Sequence, residues 1–467
     1  MGQTTERANE DVIIIGASIA GLCAARVLSA HYRQVTLFDR DELPDTPTQR
    51  AAVPQGRHVH MLMARGAAEF ESLFPGLLAD MVAAGVPILE NRPDCIHFGA
   101  AGHVLGTDHS LRDEFTAYVP SRPHLEWQIR ERVRAIPNVE IRQEAVAEPL
   151  FCPAEERVTG VLLDARDEDS AVLADLVVDA TGRGTRLPMW LEQWGFDRPP
   201  EETVDVGIGY ASQQVRIPAG LIQEKVVVAG ASRDQPLGLG MLYYEDGNWN
   251  VTTFGIAKVE PPQSFPEMCA LADQVLPPHV SAALRAGEPI GDLSFHRYPV
   301  SRWRRYDKLN RFPAGIIPFG DSVVSFNPTF GQGMTMSSIQ ADNLRGVLAS
   351  GDPDLAGRLA KATAKTTLPV WLMTSIGDQV LHLAPGPRPW WYGPVGNLFD
   401  QFLGAAETDP VLAEWFLRRF SLLDSLYMVP SPALVGRTIR HNLRMWWAER
   451  ATDKPYAVSD RSRSGSR

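Results

Sequence analysis

The feature that most limits what this chain can become is a turn of small residues between a β-branched run and a helix-patterned segment. Asp11–Ile15 reads as a strand buried on both faces, and Gly16-Ala17-Ser18-Ile19-Ala20-Gly21 follows as the turn. Ile19 to Ala30 then carries helical spacing through Leu22, Arg26 and Ala30, and Gln34–Phe38 is a second strand ending at Asp39. Together these make a βαβ unit. Such a turn offers the backbone N–H groups of Ser18, Ile19 and Ala20 at a helix N-terminus, whose partial positive charge suits a phosphate. Gly16 permits the tight turn and Gly21 close helix–strand packing, the pattern of a dinucleotide site. Ser18 departs from that pattern, because glycine is usual there and leaves more room for the pyrophosphate. Asp39, 18 residues beyond Gly21, is placed to accept ribose hydroxyls, with Arg40 beside it, and an acid there favours a plain ribose over a 2′-phosphate.

Three later segments point to FAD rather than NAD. Gly320-Asp321-Ser322 follows a buried strand, so Asp321 stands at a sheet's C-terminal edge, where it can hydrogen-bond a ribityl hydroxyl that NAD lacks. Phe326-Asn327-Pro328-Thr329-Phe330-Gly331-Gln332-Gly333-Met334 is a second glycine-bearing turn opening a long helix, whose N-terminus could meet the pyrimidine edge of an isoalloxazine. Ser121-Arg122 precedes a helix patterned by Leu125, Ile129 and Val133, which places the Arg122 guanidinium beside the pyrophosphate.

These segments resemble the flavoprotein monooxygenases of the para-hydroxybenzoate hydroxylase fold, and most closely the flavin epoxidases of polyether biosynthesis of the lasalocid and monensin type. The resemblance covers most of residues 11–350. Besides the two glycine turns it rests on Gln55-Gly56-Arg57-His58-Val59-His60, Val178-Asp179-Ala180-Thr181-Gly182-Arg183-Gly184 and Tyr306-Asp307 with Phe312-Pro313-Ala314-Gly315. It implies a single FAD held by both turns, with Arg57 beside the flavin and Pro328 near its ring. It also implies an oxygen-transfer reaction through a C4a-hydroperoxyflavin, with O2 as co-substrate and an alkene or electron-rich ring of a lipophilic secondary metabolite as acceptor. The hard chemistry belongs to the cofactor, so no catalytic side chain is assigned. Hydroxylases of this fold carry an Asp-Gly motif tied to FAD and NAD(P)H where this chain has Asp179-Ala180; electrons are still expected from NADH or NADPH, with a separate flavin reductase as the alternative donor.

Two rival activities share the architecture. Flavin halogenases use a lysine in their N-terminal half, whereas the first lysine here is Lys225, and Trp249-Asn250-Val251-Thr252 does not match their WxWxIP signature. A geranylgeranyl-type reductase would saturate an isoprenoid double bond without O2, and a third reading uses FAD only as scaffold.

The expected fold class is α/β: a glutathione-reductase-type Rossmann-like FAD domain, an inserted antiparallel substrate sheet and a C-terminal helical region. Residues 1–95, 118–200 and 295–350 are assigned to the FAD domain, and 96–117 with 201–294 to the sheet. Residues 351–450 form the helical region, and 451–467 a disordered tail. In the sheet, Asp246-Gly247 predicts a two-residue hairpin turn, and Met241, Tyr243 and Phe254 are candidates for the substrate wall. Against 45 basic residues stand 56 acids, a net charge of −11 that disfavours a nucleic-acid partner. Four widely spaced cysteines and a polar N-terminus lead to the expectation of a cytoplasmic protein with reduced thiols. His58 and His60 lack a third ligand at metal spacing and read as loop anchors, so no metal is expected. The segment 433–450 carries an apolar stripe of Ile439, Leu443, Trp446 and Trp447 beside Arg437, Arg440, Arg444 and Arg450. Docking onto the FAD domain is its expected use, and contact with a membrane surface the alternative.

Overall fold

Val12 and Ile14 point to one side of their strand, Ile13 and Ile15 to the other, and each pair joins a different buried apolar cluster. Asp11–Ile15 therefore has to be a central strand. In the computed structural model it pairs in parallel with Gln34–Asp39 on one edge and Leu176–Asp179 on the other. Val139–Gln143 and Ile316–Pro318 complete five parallel strands. The structure describes residues 10–452 apart from 52, 91–94, 113–114, 165–169, 233, 381–389, 391, 426 and 428. Of the expected tail, 451–452 end the last helix and 453–467 lie outside the described residues.

Helices Ile19–Leu28, Arg122–Arg134 and Gly333–Ser350 cover one face of the parallel sheet. A small antiparallel sheet of Val146–Cys152, Arg157–Leu163 and Ala171–Leu173, which the sequence reading did not resolve, packs on the other.

The second large sheet has eight strands in the order 324–325, 288–304, 201–216, 249–255, 237–243, 226–229, 96–100 and 103–104. The hairpin at Asp246-Gly247 forms, but with three loop residues rather than two. Tyr244 N donates to Asn248 O at 3.0 Å, and Gly247 takes φ +76° in the left-handed region. One extra loop residue changes the parity of the whole hairpin. Phe254 pairs with Gly238 and Thr252 with Gly240, while Met241 pairs with Val251. A two-residue loop would have put Met241 and Tyr243 on the face of Phe254; the observed loop puts them on the opposite one. There Met241 is fully buried, and helices Phe265–Val275 and Pro278–Arg285, absent from the sequence reading, pack over it.

Beyond residue 354 the chain is helical, at Leu355–Val380, Tyr392–Ala406, Pro410–Phe420 and Pro432–Thr452. The stripe on the last helix does not dock. Thr438 and His441 turn inward, and Ile439, Leu443 and Trp447 stay more than half exposed. Among the described residues no helix is long and apolar enough to cross a membrane.

Candidate functional site

The two glycine turns face one cavity of about 840 Å³. Ser18, Ile19 and Ala20 open the first helix on one side of it, and Gln332, Gly333 and Met334 open the second on another. Neither helix has a side-chain cap. Ser18 Oγ is drawn away to donate to Glu126 at 3.0 Å, and Gln332 Nε2 donates to Phe420 O at 2.9 Å. First-turn amides are thus left without side-chain acceptors at both points where a phosphate or an anionic ring edge would be welcome.

The first turn is fixed by internal packing. Gly16 sits at φ +105°, and a Cβ there would lie 2.6 Å from Ala180 O. A Cβ on Gly21 would lie 1.9 Å from Gly16 O. Asp39 accepts from Ala17 N at 2.8 Å and pairs with Arg50 at 2.9 Å, so it braces the turn from below and does not line the cavity. Arg50 also reaches Glu126 at 2.6 Å, and Glu126 accepts from Arg122 at 3.1 Å. Burial pushes the Glu126 carboxyl up, but the Arg122 and Arg50 guanidiniums outweigh it and hold it below the usual range. Arg122 reaches the cavity wall, and its buried Nε has no partner.

Gly320-Asp321 ties the two turns together. A Cβ on Gly320 would lie 2.5 Å from Ala20 Cβ, and Gly320 N donates to Gln340 Oε1 of the second helix at 2.8 Å. Asp321 lines the cavity, and its carboxylate has no hydrogen-bond partner among the described residues. Burial raises its pKa, with Arg183, Arg122 and Arg304 opposing. An acceptor without a donor, a guanidinium nitrogen without an acceptor and two uncapped helix ends are the complements of ribityl hydroxyl, pyrophosphate and flavin edge. The residues present fit FAD.

The second turn is held from the C-terminal region. Asn327 Oδ1 accepts from Thr329 N at 3.0 Å, and its Nδ2 donates to Asp378 Oδ1 at 2.6 Å. Asp378 Oδ2 is buried without a partner, and burial pushes this carboxyl up to about 7, the Asn327 bond opposing. Pro328 and Gly331 line the cavity beside it.

The sheet supplies the remaining wall with Leu242, Thr252, Phe254, Tyr210 and Tyr298. Phe254 is where the sequence reading placed it; Met241 and Tyr243 are not, for the register reason above. Gly16, Gly21 and Arg40 also stand outside the lining, as does Arg57, which is exposed and whose carbonyl accepts from Asn250 Nδ2 at 3.1 Å. His58, by contrast, enters the wall. Its Nδ1 is 2.7 Å from Ser212 Oγ, which is 2.5 Å from Thr252 Oγ1. Burial, with smaller contributions from His60, His296 and Arg57, brings His58 down to about 3, so its imidazole is neutral. His60 Nδ1 donates to His58 O at 2.9 Å, and burial with Arg122 nearby brings His60 down to about 4. Among the described residues no cluster of His, Cys, Asp or Glu could hold a metal.

The fold is one shared with FAD-dependent monooxygenases and related flavin-dependent enzymes of known structure. The flavin-dependent brominase Bmp2 superposes with a TM-score of 0.61 at 15% identity, covering 94% of this chain and 100% of that one. Kynurenine 3-monooxygenase of Salinispora arenicola is 26% identical over 76% of this chain and 75% of its own length. Protein Rv3254 of Mycobacterium tuberculosis is 65% identical over 97% of this chain and 98% of its own, so the chain belongs to the Rv3254 family. Residues 386–452 match the Mycobacterium Rv3254 C-terminal domain.

Proposed function

We propose that this protein is an FAD-dependent monooxygenase that inserts oxygen into a lipophilic, unsaturated or aromatic small molecule, by hydroxylation or epoxidation. One observation carries the reading: two uncapped helix N-termini and the partnerless Asp321 carboxylate converge on a single, mainly apolar cavity. The name of the similar Salinispora kynurenine 3-monooxygenase supports the reaction type. Bound FAD, reduced at the expense of NADH, NADPH or a partner reductase, would supply the O2 chemistry. The rest is the work of this chain's residues. Ser18, Ile19 and Ala20 amides with Arg122 would hold the pyrophosphate, Asp321 a ribityl hydroxyl, and the amides of Gly333 and Met334 the ring edge. Leu242, Phe254 and Phe326 keep water from the reacting atoms. Neutral His58 presents Nε2, which has no partner among the described residues, as an atom to hydrogen-bond a polar group of the substrate.

The test is direct. The purified protein should show a flavin absorption spectrum, alone or after adding FAD, and should couple NADH or NADPH oxidation to oxygenated product only in air. A protein that rejects FAD would end the reading, and equal anaerobic turnover of a polyene would move it to the double-bond reductases.

A further inference from the structure

The last helix, Pro432–Thr452, is held by its inner face: Thr408 Oγ1 lies 2.8 Å from His441 Nε2, and Asn442 Nδ2 donates to Gln401 Oε1 at 3.0 Å. Its outer face carries Val435, Ile439, Leu443 and Trp447 at four-residue spacing, an apolar ridge inclined to the helix axis that is 40–64% exposed. Leu398 on the adjoining helix Tyr392–Ala406 is exposed too. Val395, on that adjoining helix, and Tyr427 and Val429, in the segment just before the last helix, are exposed and line the cavity at once. Contiguous apolar surface of this kind marks an interaction site.

Charge says what covers it. Arg440 and Arg444 each follow a ridge residue by one position, are exposed, and make no ion pair among the described residues. In a chain of net charge −11, a cationic edge on an apolar ridge is a local reversal. A symmetric contact between two copies centred on this ridge would set Arg440 and Arg444 of one beside those of the other, which like charges oppose. Acyl chains beneath anionic headgroups satisfy both halves at once, apolar ridge inward and guanidiniums at the phosphates.

We infer that this face seats the protein on the surface of an anionic lipid bilayer, with the cavity mouth turned toward it. The inference does not depend on the flavin reading, since it is tested by binding alone. The full chain is floated with vesicles of phosphatidylcholine plus phosphatidylglycerol, and with vesicles of phosphatidylcholine only. Partition onto the anionic vesicles should be about tenfold or more the stronger, and should fall as salt is raised. R440E/R444E should erase the preference for anionic lipid, and L443S/W447S should lower partition onto the anionic vesicles by about tenfold. Thermal melting confirms that each variant is folded; if one is not, the lipid and salt dependence of the unaltered protein decides. Absence of vesicle binding by the unaltered protein would overturn the inference. So would binding indifferent to both double substitutions. A wild-type dimer that L443S/W447S splits, without lipid binding, would assign the ridge to self-association instead.

Discussion

The two glycine turns look alike in sequence and differ in what makes them glycine. At the first, Gly16 and Gly21 are demanded by the protein itself, since a Cβ on either would run into backbone oxygen. At the second, a Cβ on Gly333 would meet nothing within 4 Å, and the space it would enter is the cavity. The familiar motif is therefore explained by helix–strand packing before any ligand is considered, whereas the later turn is mixed: Gly331 needs its φ of +68° and would meet Met63 Cε at 2.9 Å, and Gly333 leaves room open toward the cavity. The supports differ as well. Asp39, Arg50 and Glu126 brace the first turn with charges from within the parallel-sheet domain, and one buried carboxyl from the C-terminal region clamps the second.

Substitutions can break that contrast. Gly21→Val should cost the most, about 4 kcal/mol or more, because helix and turn cannot both stay in place; the measurement is denaturant unfolding. Asp378→Asn should act through pH. Burial holds its folded pKa at about 7, above the unfolded aspartate value of about 3.9, so the stability it lends is full below about pH 4 and is lost as pH rises to about 7. Unfolding free energies across that window should converge on a loss of roughly 2–4 kcal/mol in the unaltered protein that the variant lacks. Asp321→Ala should weaken FAD retention by about 1–3 kcal/mol, read by fluorescence titration, with little change in melting. Gly333→Ala should be smallest in stability, neutral or up by about 0.5–1 kcal/mol, while still loosening the flavin. If it instead unfolds the protein as Gly21→Val does, the contrast between the turns fails.

What could be read from the sequence was local. Strand, turn and helix at 11–39, the Gly320-Asp321 edge and the second turn all appear as expected, because each is set by residues within a few positions of one another. The hairpin was recognised and its register missed, since parity depends on one loop residue that the Asp-Gly pair does not count. The Arg122, Glu126 and Arg130 series offered a signal that went unused: charges at four-residue spacing on the same helix as buried Leu125 and Ile129 imply partners brought from elsewhere. Arg50 is that partner, 76 residues away from Glu126. Asp378 had no such clue, and for the Ile439, Leu443 and Trp447 stripe, legible in the sequence, tertiary packing alone decides which side of the helix is left over.

The strand Glu288–Arg304 carries His296 and Tyr298 at the cavity wall and ends by gripping the other half of the site. Arg304 N donates to Val323 O at 2.8 Å, and its guanidinium donates to Ser322 O and Arg183 O at 3.2 and 2.9 Å. Wall and Asp321 turn thus share one unbroken beam. A guest that shifts the wall should therefore change how tightly FAD is held at the Asp321 turn, which flavin titration with and without the guest would check.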